Sequence, residues 1–179
     1  FVLIAMTLAK AGDNIILPAP WYFNHQMTLD MLGVEPRALL CKPEKNFIPD
    51  VDDARALIDS KTRAIVLVTP NNPTGAIYPH EVITGFAKLA REKNIWLVVD
   101  ETYRDLNFQT ALKPYAADLS PNVISVSSVS KSFGAPGIRI GWLICRDKKL
   151  MHDFLATLFP IFCYVYRHAI VLFYVHIFY

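Results

Sequence analysis

One lysine stands in a small, polar stretch of this sequence, Ser128-Val-Ser-Lys-Ser-Phe-Gly-Ala-Pro-Gly-Ile-Arg139. A free lysine amine has a pKa of about 10.4 and is a poor nucleophile, but desolvation or a neighbouring cation permits Schiff-base chemistry with carbonyl groups. Arg139 could be that cation, or could bind a phosphate together with Ser128 and Ser130. The stretch therefore fits a phosphorylated ligand bound covalently to Lys131. The competing interpretation is a solvated lysine in a serine- and glycine-rich loop.

Two other polar groups follow apolar runs. Asp100 ends a run of five apolar residues, and a carboxylate in such a place is costly unless it is paired. It could hold a protonated ring nitrogen, and the hydroxyl of Tyr103 could reach the same site. Asn72 precedes Pro-Thr-Gly75 and could donate an amide hydrogen to an aromatic oxygen. The simpler interpretations are that Asp100 caps the next element and that the asparagine belongs to an ordinary turn.

The elements that must position these groups alternate along the chain. Apolar runs predict buried strands, and amphipathic or capped segments predict helices, with Asp50 as a helix N-cap and Gly12 ending the first helix. The predicted strands are 14–17, 36–41, 62–69, 95–100, 123–127 and 138–145, and the predicted helices are 1–13, 21–32, 50–58 and 79–93. This alternation indicates an α/β domain with a mostly parallel sheet.

The polar turns are expected to meet in space. They begin directly after the strands predicted at 62–69, 95–100 and 123–127, about one strand–helix–strand unit apart. In parallel sheets, ligands bind beyond the carboxyl ends of the strands. We therefore expect the three turns to line one site.

Composition excludes some classes of protein. The formal charge of the 179 residues is only +2, and no basic cluster indicates a nucleic-acid partner. The three cysteines, Cys41, Cys145 and Cys163, are widely spaced, which favours reduced thiols in a cytoplasmic protein over disulfides or a metal site. The hydrophobic content of 53% is high, and most of the excess lies in the last twenty residues.

Taken together, the motifs identify a resemblance. Asn72-Pro-Thr-Gly75, Asp100-Glu-Thr-Tyr103, and Ser128-Val-Ser-Lys131 with Arg139 resemble, in this order, the motifs of the fold-type I, pyridoxal-phosphate-dependent aminotransferases of classes I and II. The resemblance covers residues 1–158, and the combination is far more specific than any one motif. It implies an incomplete cofactor-binding large domain, built as a three-layer α/β sandwich around a mostly parallel sheet.

The resemblance assigns roles to the charged and hydroxyl groups. Lys131 would bind the aldehyde of pyridoxal 5'-phosphate as a Schiff base and then transfer protons. Asp100 would keep the ring nitrogen protonated, so that the ring withdraws electrons. Ser128 and Arg139 would bind the phosphate, with Ser130 as an additional donor.

It also assigns the groups that surround the ring. Asn72 and Tyr103 would hydrogen-bond its phenolic oxygen. An aromatic side chain would stack on the ring; Tyr22 is preferred, and Trp21 fits if the loop is one residue shorter. His25 could face the same pocket, although a single histidine is more often structural.

The implied activity is transfer of an amino group from an amino acid to a 2-oxo acid in a homodimer, without a metal. A related lyase reaction, β-elimination with C–S cleavage, uses the same cofactor residues. The alternative to an enzyme is a non-catalytic fragment. The resemblance places a phosphate-binding loop before Phe1 and a small domain, with the arginine that binds the substrate carboxylate, after the chain.

Residues 159–179 do not match the family and are predicted to be non-native sequence. A membrane anchor is less favoured, because Arg167, His168 and His176 interrupt the stretch.

Overall fold

The chain folds around one mixed sheet. The computed structural model describes residues 1–106, 114–165 and 173–175, with side chains described up to residue 159. Within these ranges the strands are β1 Asn14–Ala19, β2 Glu35–Leu40, β3 Thr62–Val68, β4 Trp96–Asp100, β5 Val123–Ser128, β6 Gly141–Cys145 and β7 Phe173–Val175. The helices are α1 Val2–Leu8, α2 Phe23–Met31, α3 Val51–Leu57, α4 His80–Glu92, α5 Val129–Ser132 and α6 Lys148–Val165.

The strand directions confirm the predicted mostly parallel sheet. The strands lie in the order β2-β1-β3-β4-β5-β6-β7, and all neighbours are parallel except β5 and β6, which are antiparallel. Parallel neighbours require crossover connections, and α2, α3 and α4 are the helical segments of these connections. The sheet is therefore the mostly parallel sheet that the alternating pattern predicts.

Helices cover both faces of the sheet. On one face, Ile65 and Leu67 of β3 pack in a core with buried residues of α3 and α4, such as Phe86. On the other face, Ala64 and Val66 pack with residues of α1, α2 and α6. Because successive side chains of a strand point to opposite faces, a strand buried on both faces must be apolar throughout. The three-layer α/β arrangement predicted from the sequence is thus confirmed.

Local signals explain most element boundaries. The side chain of Asp50 accepts hydrogen bonds from the amides of Asp52 and Asp53, as an N-cap of α3 should. Gly12 does not end the first helix, contrary to the prediction, because α1 ends at Leu8 and Ala9 is already extended. The amide of Lys10 instead donates to the Asp13 carboxylate at 3.1 Å, and Gly12, with φ +87°, completes this turn.

The C-terminal part differs in two ways from the predicted elements. The last predicted strand begins three residues later than expected, at Gly141, because Pro136–Ile138 forms a 3-10 turn. Helix α6 continues across the domain boundary predicted at residue 158, and residues 166–172 and 176–179 of the predicted tail lie outside the described residues. Among the helices that the structure describes, none has the length and apolar content needed to cross a membrane.

Candidate cofactor site at the carboxyl edge of the sheet

Three adjacent parallel strands deliver the predicted turns to one edge. Val68, the last residue of β3, lies opposite Asp100 at the end of β4, and Asp100 lies opposite Val126 of β5. Ser128 then ends β5 and begins the short helix α5. The prediction that the three turns share one edge of the sheet is confirmed by this register.

The first turn is fixed by Asn71, which leaves Asn72 available for other contacts. The Asn71 side-chain oxygen accepts from the amide and hydroxyl of Thr74 at 3.2 and 2.8 Å, and Gly75, with φ +74°, closes the loop. The Asn72 side-chain amide donates to the Tyr103 hydroxyl at 3.3 Å. The two residues predicted to share one ring oxygen are therefore neighbours.

Asp100 is held by the turn that follows it and by a histidine of α2. Its Oδ1 accepts from the amide of Thr102 at 3.0 Å, and its Oδ2 lies 3.6 Å from Nε2 of His25. Burial alone would raise the pKa of Asp100, but the contacts with His25 and Thr102 outweigh it and hold the pKa below its usual value. The carboxylate, with 18% of its side chain exposed, is therefore an ionised group at the site.

His25 contacts Asp100, although the sequence favoured a purely structural role for this histidine. It lies on α2, only 3% exposed, and its ring contacts those of Phe1 and Tyr22 at centroid distances of 4.1 and 5.4 Å. The Tyr22 hydroxyl accepts from the Asn24 side chain at 2.7 Å. Sequence spacing gives no signal for the contact of His25 with Asp100, because His25 lies on α2 and Asp100 ends β4, far apart in the chain.

The serine-rich segment is tied to the Asp100 turn by its own hydroxyls. Ser127 donates to the carbonyl of Glu101 at 3.3 Å, and Ser132 donates to the carbonyl of Thr102 at 3.2 Å. A Cβ on Gly141 would lie 3.0 Å from the Ser127 carbonyl oxygen, so glycine is needed where β6 approaches β5. The backbone around the second and third turns is thus fixed by hydrogen bonds between them.

A second cluster supports the Asp100 turn from outside. Glu101 accepts from Arg104 at 3.3 Å and from the Ala116 amide at 3.2 Å. The Arg104 guanidinium stacks 3.8 Å above the Tyr115 ring. Burial raises the pKa of Glu101 in spite of these contacts. The cluster packs the chain after β4 against the segment that precedes β5.

A cavity of about 350 Å³ opens at this edge. Its apolar wall comes from α1, β6 and α6 and includes Phe1, Leu3, Trp142 and Phe154. Its polar lining consists of Asp100, Thr102, Ser127, Ser128, Ser130 and Arg139. The volume is in the range of small-ligand sites.

The donor set fits the predicted cofactor. Asp100 supplies one carboxylate for a basic ring nitrogen, whereas Ser128, Ser130 and Arg139 supply hydroxyl and guanidinium donors for a phosphate. Arg139 itself has φ +59°, and its Nη1 donates to the Pro136 carbonyl at 3.0 Å. Pyridoxal phosphate carries both a basic ring nitrogen and a phosphate, so the residues present suit it.

Not all predicted site residues line the cavity. Lys131 is exposed on α5 and follows the lining residue Ser130 directly. Trp21 packs against the core beneath the sheet edge and donates from Nε1 to Gln26 at 2.9 Å. The lining excludes Tyr22 as well, and the Asn72–Tyr103 pair lies outside it. The roles of these residues toward a cofactor stay predictions.

In the described ranges, no cluster of His, Cys, Asp or Glu is arranged to bind a metal ion.

Comparisons with known proteins show the family to which the chain belongs. A family model described as "Aminotransferase class I and II" matches residues 1–166. The chain is 33% identical over 144 residues to the glutamate-pyruvate aminotransferase AlaA of Haemophilus influenzae, covering 79% of this chain and 36% of that protein. The chain thus spans about a third of the length of this relative.

Solved structures give the same result. An aspartate aminotransferase double mutant from Thermus thermophilus superposes with a TM-score of 0.80 and 29% identity, covering 87% of this chain and 40% of that one. An alanine aminotransferase from Pyrococcus furiosus has a TM-score of 0.79 and 29% identity, covering 89% and 41%. The similarity therefore extends over most of this chain and less than half of each solved structure.

Proposed function

Because this chain belongs to the class I and II aminotransferase family, we propose that it forms the cofactor-binding part of a pyridoxal-phosphate-dependent transaminase. The reaction moves an amino group from an amino acid to a 2-oxo acid. The observation that carries the proposal is the cavity at the carboxyl edge of the sheet. It joins the Asp100 carboxylate to the donors Ser128, Ser130 and Arg139, directly beside the turn that bears Lys131.

Each residue has a defined task in this proposal. When bound, pyridoxal phosphate supplies an electron sink for the bond that breaks at the α-carbon of the amino acid. Asp100, ionised in the buried turn, holds a proton on the ring nitrogen. Ser128, Ser130 and Arg139 bind the phosphate oxygens and thereby fix the position of the ring.

The remaining residues act at the reacting side of the ring. Asn72 and Tyr103, which already contact each other, donate to its phenolic oxygen. Lys131 would hold the cofactor through its Nζ at the aldehyde position and would move a proton to or from the substrate's α-carbon. For the stacked aromatic group we retain Tyr22 over Trp21, because the Tyr22 ring contacts His25, the neighbour of Asp100, whereas Trp21 packs into the core.

The substrates are proposed only as classes. The relatives described above are named for glutamate and pyruvate, aspartate, and alanine, so the family includes different specificities. All three names denote aminotransferases, which favours transamination over β-elimination. A homodimer and a cytoplasmic location complete the proposal, the latter because Cys41 and Cys145 are free thiols.

The test begins with the 179-residue chain and pyridoxal phosphate. We expect an absorption band near the visible edge, and borohydride reduction should fix the label on the Lys131 peptide. Lys131→Ala should abolish the labelled peptide, whereas Lys61→Ala, a matched exposed lysine at the opposite edge of the sheet, should leave it unchanged. Addition of an amino acid to the loaded chain should then release the corresponding 2-oxo acid.

Peptide mapping must also separate Lys131 from the other lysines of the chain. Equal labelling of several lysines in a chain that circular dichroism shows to be folded would contradict the proposed role of Lys131. Labelling of Lys131 without release of 2-oxo acid would identify a binding-competent but inactive chain.

A further inference from the structure

The chain that follows β4 carries two interleaved sets of side chains. Asp100 and Tyr103 have proposed roles toward the cofactor, and each is followed directly by a residue without such a role, Glu101 and Arg104. Asp100 lines the cavity, whereas Glu101 does not. The Glu101 side chain instead meets Ala116, which belongs to the core on the other face of the sheet.

Both carboxylate oxygens of Glu101 have a partner. Oε1 accepts from Nη1 of Arg104 at 3.3 Å, and Oε2 accepts from the amide of Ala116 at 3.2 Å. Only 11% of the Glu101 side chain and 13% of the Arg104 side chain are exposed. Loss of one partner from such a buried pair is costly, because the remaining charge stays buried. Glu101 thus ties the chain after β4 to the 3-10 turn Ala116–Asp118, which precedes β5.

Arg104 makes the second attachment to the same segment. Its guanidinium stacks 3.8 Å above the ring of Tyr115, the residue before Ala116. Its backbone amide donates to the carbonyl of Glu101 at 3.0 Å, so the two residues are joined through main chain and side chain. We call Glu101, Arg104 and Tyr115 the clamp.

The clamp borders the polar groups of the cofactor site. Oδ1 of Asp100 accepts from the amide of Thr102 at 3.0 Å, and the hydroxyl of Tyr103 accepts from Asn72 at 3.3 Å. Both contacts require that the backbone from Asp100 to Tyr103 keep one conformation. The clamp fixes this turn from the side that faces away from the cavity.

We propose that Glu101 is a positioning residue whose carboxylate holds the turn that presents Asp100 and Tyr103 to the cofactor. The inference rests on the proposed function only for the identity of the ligand, pyridoxal phosphate. The order of the turn is a property of the unliganded chain. The two parts can therefore be tested separately.

The first test compares two buried carboxylates and needs no cofactor. Glu101→Gln keeps the size of the side chain but offers one acceptor oxygen where two donors must be met. Asp13→Asn is the matched control, because Asp13 is also buried, pairs with Arg63 at 2.8 Å and accepts from the amide of Lys10 at 3.1 Å. The measurement is hydrogen exchange of the Thr102 amide, followed by NMR in the 179-residue chain.

We expect the Thr102 amide to exchange about tenfold faster in Glu101→Gln, because loss of a charge-assisted hydrogen bond makes local opening of the turn easier. Its exchange should be unchanged in Asp13→Asn. An unchanged rate in Glu101→Gln would overturn the inference. Equal acceleration in both variants would also overturn it, because the effect would then be a general loss of stability.

The second test uses the ring of Tyr115 and decides the matter if Glu101→Gln does not fold. Tyr115→Leu removes the ring on which Arg104 stacks but leaves the ion pair with Glu101 in place. We expect the Thr102 amide to exchange about threefold faster in this variant. Tyr115→Phe, which keeps a ring, should restore the wild-type rate. Wild-type exchange in Tyr115→Leu, or equally fast exchange in Tyr115→Phe, would contradict the clamp.

The third test measures the dissociation constant of pyridoxal phosphate by absorbance titration. We expect binding to be about tenfold weaker in Glu101→Gln and unchanged in Asp13→Asn. Unchanged affinity in Glu101→Gln, together with faster exchange, would overturn the part of the inference that concerns the cofactor. If the wild type does not bind pyridoxal phosphate, the proposed function fails for this chain, and the exchange rates still decide whether Glu101 holds the turn.

Discussion

The parallel strands begin at one edge of the sheet, the amino edge, and end at the other, the carboxyl edge. The two edges carry similar polar side chains, but these side chains make different kinds of contact. At the amino edge, Arg37 bonds the Leu57 carbonyl and the Asp59 carboxylate, each at 2.8 Å, and Asn14 donates to Asp59 at 2.9 Å. At the carboxyl edge, Asp100 and Arg139 line a cavity and are not joined to each other by a described contact. The polar groups of the amino edge bond each other in a closed network, whereas Asp100 and Arg139 of the carboxyl edge face an open cavity.

This difference separates structural from ligand-binding polar groups. At the amino edge, Arg37 pairs with Glu35 and Asp59, so these interactions contribute to the free energy of folding. At the carboxyl edge, the positive and negative groups face a shared space, and a ligand with complementary charges can bind both. Substitutions at the amino edge should therefore change stability, and substitutions at the carboxyl edge should change cofactor affinity.

The largest effect is expected for Asp100→Ala. Loss of one partner from a buried, hydrogen-bonded charge pair commonly costs a factor of about 100 or more in affinity. We expect pyridoxal phosphate to bind about 100-fold more weakly, together with some loss of stability, because the contacts of Asp100 with His25 and the Thr102 amide outweigh the cost of burying its charge. The dissociation constant is measured by absorbance titration.

Asp59→Ala is the matched carboxylate of the amino edge. It should leave the dissociation constant unchanged and lower the urea midpoint of unfolding. Weaker cofactor binding in Asp59→Ala, or unchanged cofactor binding in Asp100→Ala, would refute the division between the two edges.

The next effect is expected for Asn14→Ala. Asn14 is fully buried, and its side-chain amide holds Asp59. Truncation of a buried hydrogen-bonded group should lower the free energy of unfolding by about 2 kcal/mol. Asn72→Ala, at the open edge, should lower it by less than about 0.5 kcal/mol. Urea unfolding, followed by circular dichroism, measures the free energy of unfolding of both variants. Equal losses would show that the two asparagine side chains contribute equally to stability, which would contradict the difference between the edges.

A smaller effect is expected for the arginines. Arg139→Ala should weaken pyridoxal phosphate binding about tenfold, because it removes one charged donor from the predicted phosphate site. Arg37→Ala should leave binding unchanged and lower the free energy of unfolding by about 1 kcal/mol, a value limited by the partial exposure of its ion pairs. Inorganic phosphate should compete with the cofactor in the wild type and less effectively in Arg139→Ala.

The contrast between the edges also explains what the sequence could reveal. The runs that form β3 and β4 are apolar on both faces, and Asp50 has the residue type and position of a helix cap, so local signals were sufficient for these elements. The turns were predictable at the carboxyl edge because parallel strands end together. Both the mostly parallel sheet and the position of the three turns at one edge agree with the structure.

Contacts between distant parts of the chain were not predictable in this way. The approach of His25 to Asp100 depends on how α2 packs beside β4, and no local pattern encodes it. The early end of α1 depends on the Asp13 side chain, which favours a turn where helical periodicity alone predicts continuation. The exposed position of Lys131 on α5 likewise follows from packing that the motif does not determine.

The smallest effect is expected on stability when the pH is lowered. Arg37, followed by Asn14 and the Lys61 amide, holds the pKa of Asp59 below its usual value. A carboxyl group whose pKa is lower in the folded state stabilises the protein above the unfolded pKa of about 3.9, and this contribution is lost as the pH falls below it. Because Asp59 is exposed to solvent, the contribution is screened and small.

The urea midpoints of wild type and Asp59→Asn should therefore differ at pH 6 and converge towards pH 3. Asp13 and Asp50, whose pKa values are also lowered, are present in both proteins, so their effects cancel in the difference. A gap of constant size across this range would mean that the Asp59 charge does not stabilise the network. Asp59 would then contribute only through neutral hydrogen bonds, and the closed character of the amino edge would rest on Asn14 and backbone contacts.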